Sequence, residues 1–181
     1  MKKISFLLLC AVLAIMMTSC ENDSIDVHEI GYAKMIFPEP YTTWGDAVSD
    51  VMAYMEPYGL TSIDVQAGDI ALADGSTKRL YIKYYGGDNP FDDNQSKITY
   101  KYYFENLDGG LKAIRVGLVQ HSQFKLDEIT TQFKNSGYNY DGFINSQYYQ
   151  FSNGDTVIRC YLANHSFVFI KKGDPDELVW N

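Results

Sequence analysis

Two segments of the sequence share one pattern of apolar residues, and each ends at a glycine. The apolar residues stand eleven, eight and four positions before the glycine: Val48, Val51 and Met55 before Gly59, and Leu126, Ile129 and Phe133 before Gly137. Spacings of three and four place side chains on one side of an α-helix, and glycine is common where a helix ends in a left-handed conformation. The sequence therefore predicts two helices, at residues 43–56 and 125–136, each with one apolar face.

A turn dipeptide follows each predicted helix at a similar distance. Asp74-Gly75 and Asn153-Gly154 favour the two-residue hairpin turn, in which both central residues have positive φ. Each turn separates two strand-like runs: 63–73 and 78–85 in the first half, and 143–151 and 156–162 in the second. The apolar helix face, the glycine that ends the helix and the turn dipeptide all recur. The sequence therefore predicts a tandem duplication.

Further strand-like runs complete the predicted fold. They cover residues 97–105 and 111–119 in the first half and 166–171 in the second. Strands joined by short turns are antiparallel neighbours, and a helix with one apolar stripe lies on one face of a sheet. We therefore predict an α+β fold of two tandem repeats, 41–121 and 122–181, each with one helix and three or four antiparallel strands, the helices on one face of the sheet.

This order of elements resembles the tandem helix-plus-sheet fold of the β-lactamase inhibitor proteins, in which two such repeats present a concave sheet to a partner. The resemblance covers the mature part of the chain and depends on element order alone. It implies a fold, and it assigns no residue of this chain to a binding role.

The first twenty residues are typical of a secretory signal that ends in a lipidated cysteine. Two lysines and an apolar run to Met17 precede the small residues Thr18 and Ser19, which lead into Cys20. The segment resembles the lipobox of bacterial lipoproteins, although Leu is more usual than Met17. The resemblance implies removal of residues 1–19 and attachment of acyl chains, palmitate among them, to Cys20. An ordinary signal peptide cut elsewhere and a membrane anchor are alternatives, but the run is short for spanning a bilayer.

Residues 20–40 are predicted to form a polar tether between the lipid and the folded part. The tether begins with the acidic residues Glu21, Asp23 and Asp26, which resemble the export signal of some Gram-negative surface lipoproteins. That resemblance implies a place on the outer membrane, facing outward, although any tether is polar because a segment with few apolar groups does not fold. The whole chain has a formal charge of −8, so nucleic acid is excluded as a predicted partner.

The strand-like run 97–105 predicts a surface that could bind a partner. It alternates between Ile98, Tyr100, Tyr102 and Phe104, predicted to face the helices, and a set that includes Lys101 and Tyr103. Extending this second set to other strands gives a candidate binding face of Tyr81, Lys83, Tyr85, Lys101, Tyr103, Arg115, Arg159 and Tyr161. Tyr and Arg are favoured at binding hot spots, but they also pair across half-exposed strands for stability.

No sequence motif specifies a cofactor, a metal or a catalytic centre. The acidic loop 88–94 lacks the spacing of the helix-loop-helix calcium motif, and His28, His121 and His165 have no metal-ligand spacing. Cys160 falls in a strand-like run and His165 in the turn after it, without a third group to orient them. The sequence predicts a lipid-anchored, non-catalytic binding module for a protein or glycan; a small cell-surface hydrolase and a structural subunit of a surface assembly are the alternatives.

Overall fold

One antiparallel sheet of eight strands makes up most of the structure. The computed structural model describes residues 36–72, 74–91, 96–119 and 125–174. The helices are α1, Val48–Met55, which continues into a 3₁₀ turn at Glu56–Tyr58, and α2, Leu126–Asn135; a second 3₁₀ turn spans Leu162–Asn164. The strands are β1 Thr61–Ala71, β2 Thr77–Asp88, β3 Lys97–Asn106, β4 Gly109–Val119, β5 Asn139–Ile144, β6 Tyr148–Ser152, β7 Thr156–Tyr161 and β8 Ser166–Lys171.

The predicted α+β fold of two tandem helix-plus-strand repeats is wrong, because the fold is largely β. The strands follow the order β1-β2-β3-β4-β8-β7-β6-β5, so that β4 and β8 pair at the centre and the predicted repeats 41–121 and 122–181 share one sheet. The two helices have only eight and ten residues. Four consecutive residues of β8 are buried, and this strand lies between β4 and β7 at the centre of the sheet.

The second half of the chain contains one more strand than predicted. The run 143–151 includes a tight turn, in which Asn145 and Ser146 have φ of 49° and 56°, and this turn separates β5 from β6. Consequently Asn153-Gly154 joins β6 to β7, whereas Asp74-Gly75 joins β1 to β2. The Asn153 turn is stabilised by its own side chain, whose Oδ1 accepts hydrogen bonds from the backbone N–H of Asp155 and of Thr156.

Both predicted helices are confirmed, and both end as predicted. Gly59 after α1 and Gly137 after α2 have φ of 64° and 84°. The predicted start of α1 at residue 43 is wrong, since the N–H of Gly45 donates to the carbonyl of Leu111 at 3.2 Å and holds this stretch against β4.

Both helices pack into one core on the same side of the sheet. From α1 and α2 come Val51, Met55, Ile129 and Phe133, and the sheet supplies the buried residues Ile98, Tyr100, Tyr102, Phe104, Phe151, Phe167 and Phe169. Phe133 is central to this core, because its ring lies 5.0 to 6.2 Å from five other rings. Edge-to-face aromatic pairs stabilise a fold by about 0.5–1.5 kcal/mol each beyond the burial of area.

Residues 36–41 lie outside the regular elements, and side chains of other elements hold them against this core. Gln132 accepts from the N–H of Ile36 and donates to the carbonyl of Phe37, at 2.6 and 3.2 Å. Further hydrogen bonds reach the backbone of this segment from Asn89, Tyr100 and Tyr54, and the hydroxyl of Tyr102 accepts from the N–H of Tyr41. These bonds replace the ladder of a sheet, because buried backbone groups must be paired.

The opposite side of the sheet, called here the helix-free face, carries a second, smaller apolar cluster. Leu80, Ile82, Tyr103 and Ala113 are buried in it, with Ile70, Leu72, Tyr84 and Ile170 packed against them. Neither described helix contributes to this cluster. None of the helices within the described ranges is long and apolar enough to cross a membrane.

Candidate functional site

A row of paired residues crosses the helix-free face from β2 to β6. Residues directly opposite each other on antiparallel strands point to the same face, and the register pairs Tyr84 with Lys101, Lys101 with Arg115, Arg115 with Val168, Val168 with Arg159, and Arg159 with Gln150. The three cations of this row, Lys101, Arg115 and Arg159, are called the basic row. The fold thus collects on one face charges that are 14 to 58 positions apart in the sequence.

Two tyrosine rings hold cations of the basic row. The Nζ atom of Lys101 lies 5.3 Å from the centre of the Tyr84 ring, and the guanidinium carbon of Arg159 lies 5.2 Å from that of Tyr148. Tyr148 in turn contacts the ring of Tyr161. A cation over a ring is stabilised by about 0.5–1 kcal/mol at an exposed site. The rings therefore orient these side chains above the sheet.

Five of the eight residues predicted for the binding face lie on the helix-free face. They are Lys101, Tyr103, Arg115, Arg159 and Tyr161. The other three, Tyr81, Lys83 and Tyr85, lie on the helix side, because they pair with Phe104, Tyr102 and Tyr100. Their predicted place with the others is therefore wrong. The run from Leu80 to Tyr85 has apolar residues at both alternating sets of positions, and an error of one residue moves a whole strand to the other face.

Lys83 and Tyr85, two of the three residues on the helix side, are part of the packed interior. Lys83 is only 4% exposed, and its Nζ atom lies 3.4 Å from the Ser62 hydroxyl and 5.5 Å from the centre of the Tyr85 ring. Burial raises the pKa of Tyr85 to about 12, and its buried hydroxyl has no hydrogen-bond partner within the described part of the chain. Neither side chain is accessible to a large partner in this arrangement.

Tyr103 is on the helix-free face but is also mostly packed. It is 6% exposed, belongs to the smaller apolar cluster, and has its pKa raised to about 12 chiefly by burial. We therefore regard Tyr103 as a packed residue beside the basic row and not as a contact for a partner.

A groove, called here the small-residue groove, lies beside the basic row. Its floor crosses four strands through the register-paired residues Gly86, Thr99, Gly117 and Ser166. The part over β3, β4 and β8 is a depression of about 240 Å³, lined also by Lys101, Arg115, Val119 and Asn164. A Cβ atom on Gly117 would lie 2.9 Å from Oγ1 of Thr99. The absence of a side chain at Gly117 therefore makes the groove deeper at this point.

A second depression of about 170 Å³ lies at the other end of the basic row. Arg159, Gln150, Val157, Ile170, Lys172 and Asp174 line it. Gln150 donates to the carboxylate of Asp141 at 3.1 Å, and that carboxylate also accepts from Ser152. Asp174 forms an ion pair with Lys112.

The side chains considered for catalysis or metal binding are not assembled into a site within the described ranges. Cys160 is 1% exposed on the helix side, and burial raises the pKa of its thiol to about 12. No group of three His, Cys, Asp or Glu side chains in the described residues could hold a metal ion. In the loop 88–94, Asp88 pairs with Lys97 and Asn89 donates to the carbonyl of Ile36. Cys20, His28, His121 and residues 92–95 lie outside the described residues.

The sequence did not predict the roles of Tyr84 and Tyr148 or the small-residue groove. Tyr84 alternates with Tyr81, Lys83 and Tyr85, so the predicted face of β2 places it in the core, and Tyr148 lies within the run 143–151, which predicts one strand. Thr99 alternates with the core residues of β3 as Lys101 does, but its alignment with Gly117 and Ser166 depends on the pairing of β3, β4 and β8. The order of strands along the chain does not reveal that pairing.

Comparison of the chain with protein-family models, with curated proteins and with solved structures found no match. The resemblances to bacterial lipoproteins and to the β-lactamase inhibitor proteins consequently stay predictions from the sequence.

Proposed function

We propose that the protein is a non-catalytic binding module, anchored by lipid at Cys20 to the outer membrane of the cell envelope and exposed at the cell surface. Its helix-free face would contact a protein or glycan partner. The anchor is supported by the sequence of residues 1–20, where a basic start, an apolar run and two small residues precede the cysteine. Acyl chains on Cys20 would hold the chain on the membrane, since each buried methylene contributes about 0.8 kcal/mol.

The observation that carries the binding proposal is the basic row. The protein as a whole has a net charge of −8, yet Lys101, Arg115 and Arg159 lie in one register across its sheet, two of them against tyrosine rings. A local charge opposite to that of the whole protein attracts partners of complementary charge and orients them.

Two features support binding over a hydrolase activity. The Cys160 thiol has a pKa raised to about 12, so it carries almost no thiolate near neutral pH. The depressions beside the basic row are small for a substrate pocket, since ligand pockets usually have about 300–1,000 Å³.

A second candidate function, a structural subunit of a surface assembly, is supported by the two edges of the sheet. Ile63 on β1 and Phe143 on β5 are 52% and 51% exposed, and these strands are the first and last of the sheet. An exposed edge strand can pair with another chain. Cross-linking of the protein to itself at these edges, and not to other proteins, would favour this function.

The binding proposal is tested by site-specific photo-cross-linking in intact cells. A photoreactive phenylalanine replaces Tyr84, beside the basic row, and in a matched control it replaces Tyr140, which is 41% exposed on the edge strand β5. We expect a discrete cross-linked product from position 84 that is lost when Lys101, Arg115 and Arg159 are all changed to Gln. Identical products from positions 84 and 140 would contradict a specific face.

The anchor has its own test. Cells fed an alkyne analogue of palmitate should label the protein, and the substitution Cys20→Ala should abolish both the label and recovery with membranes. Labelling that persists in this variant would contradict lipidation of Cys20. Protease added to intact cells then distinguishes a surface location from the periplasmic side.

A further inference from the structure

We propose that the small-residue groove binds a carboxylate side chain of an acidic, extended peptide segment of a partner protein. This inference deepens the proposed function, on which it rests, by naming the chemical class of the ligand and the part of the face that takes it.

The charged wall of the groove is formed by Lys101 and Arg115. They are directly opposite each other on β3 and β4, so their backbones are about 5 Å apart. No described carboxylate forms an ion pair with Lys101, and its recorded contact is with the ring of Tyr84. An arginine can hold a carboxylate through two parallel hydrogen bonds, and a neighbouring ammonium adds a point charge.

The floor of the groove offers a hydroxyl and the space for a ligand. Ser166 is 4% exposed and lines the depression. A serine hydroxyl can donate to a carboxylate oxygen, so a ligand oxygen that reaches the floor would find a donor there. Because Gly117 has no side chain, the approach to Ser166 and Thr99 stays unobstructed.

The third cation extends the site to more than one acidic residue. Arg159 on β7 is two strands beyond Arg115 on β4, which places their backbones about 10 Å apart. In an extended polyproline II segment, every third side chain points the same way, about 9 Å further on. Acidic residues three positions apart could therefore reach the groove and Arg159 together.

A peptide fits this surface better than an acidic polysaccharide. The two tyrosine rings beside the cations, Tyr84 and Tyr148, already hold Lys101 and Arg159 against them, so they are poorly placed to stack on sugar rings. The combination of Tyr and Arg is also typical of hot spots in protein interfaces.

The test uses the full chain purified in non-ionic detergent and a fluorescent twelve-residue peptide of Glu-Pro-Ala repeats. A second peptide with Gln in place of every Glu is the control for charge on the ligand. Fluorescence anisotropy at about 0.1 M salt, where distant charges are screened, should show binding of the Glu peptide alone. The double substitution Lys101→Gln and Arg115→Gln should weaken that binding by roughly tenfold or more, because hydrogen bonds between ionised groups are roughly twice as strong as neutral ones.

Two further variants separate the groove from net charge and from misfolding. Lys125→Gln with Lys134→Gln removes the same charge at exposed positions just before and within α2, and it should leave peptide affinity unchanged within about twofold, as expected for distant, screened charges. Gly117→Ala keeps all charges and narrows the groove, and it should weaken binding while thermal unfolding still shows a folded protein.

The peptide affinities of the groove variants and of the α2 variant decide between a specific groove and general attraction of charge. Binding lost in the groove variants and kept in the α2 variant supports the proposal. No binding of the Glu peptide, equal losses in both charge variants, or displacement of the peptide by oligogalacturonate at lower concentrations than by unlabelled peptide would overturn it. A failed peptide test combined with a Tyr84 cross-link that needs the basic row would overturn this inference and leave the proposed function standing.

Discussion

The side-chain amide of Gln132 on α2 donates a hydrogen bond to the backbone carbonyl of Phe37 at 3.2 Å. Its oxygen accepts from the N–H of Ile36, so one buried amide pairs two successive backbone groups in the way a neighbouring strand would. Phe37 places its ring against Phe133 and Phe167. The polar and apolar contacts of this segment therefore depend on each other.

Replacing Gln132 with Leu should destabilise the protein by about 2–4 kcal/mol. The change keeps the volume but leaves the N–H of Ile36 and the carbonyl of Phe37 without this partner, and each unsatisfied buried group costs about 1–3 kcal/mol. Urea unfolding followed by circular dichroism measures the loss. The same substitution at exposed Gln147 is the control; equal effects at both sites would contradict the role of Gln132.

Glu39 should make folding less favourable as the pH rises. Burial raises the pKa of its carboxyl above the usual value, although a hydrogen bond with Ser136 lowers it in part, and its Oε1 atom is buried with no hydrogen-bond partner. The folded state thus binds the proton more tightly than the unfolded chain. The contribution of Glu39 to stability is then greatest below its unfolded pKa of 4.5 and is lost as the pH rises through the folded pKa.

Glu39→Gln removes this titration and tests it. We expect the variant to gain unfolding free energy relative to the parent at about pH 7 and to gain little at about pH 4. Urea unfolding at the two pH values measures both differences, with Glu56→Gln at an exposed position as the control. A gain of the same size at both pH values would show that the titration of Glu39 is not its cause.

Cys160 should resist alkylation in the folded protein. Burial raises the pKa of its thiol to about 12 and leaves it 1% exposed, and the thiolate is the reactive form. Iodoacetamide at about pH 8 should modify this residue only in denaturant, as measured by mass spectrometry of the peptide that contains it. Rapid modification without denaturant would mean that β7 opens readily or is not packed as described.

Gly110→Ala should destabilise the β3–β4 turn, whereas Gly154→Ala should not harm the fold. Gly110 has φ of 81°, and an added Cβ would lie 2.9 Å from Cβ of Glu105. The left-handed conformation alone costs a non-glycine residue about 1–2 kcal/mol. Gly154 is in a turn without a positive φ and with nothing within 4 Å of an added Cβ. Thermal unfolding compares the two variants, and equal midpoints would contradict this account.

Local patterns predicted the helices well, because their signals lie within a few residues. The stripes of α1 and α2 and the left-handed glycines after them needed no knowledge of the rest of the chain. Strand β3 was also assigned to the correct faces, since its apolar set is continuous. The fold class could not be obtained in this way, because the pairing of β4 with β8 joins residues 49 to 57 positions apart.

The candidate site was predicted only in part, because it also depends on pairing between strands that are distant in the sequence. Lys101, Arg115 and Arg159 were placed correctly from the alternation of their own strands. Lys83 was misplaced because β2 is apolar on both faces, and a second apolar cluster on the helix-free face is not expected for a sheet covered on one side. Ser166 was overlooked because its position in the groove follows from β4–β8 register alone.

The hydrogen bonds that hold residues 36–41 also determine how the folded part of the chain would respond to tension. Of the described residues, these are the nearest in sequence to the proposed anchor, so a pull from the membrane would reach Ile36 before any of the described strands. The resisting bonds come from Gln132 on α2 and from Asn89 just after β2, which lie far apart in the sequence. The load would therefore be divided between α2 and the end of β2, and would not fall on one strand alone.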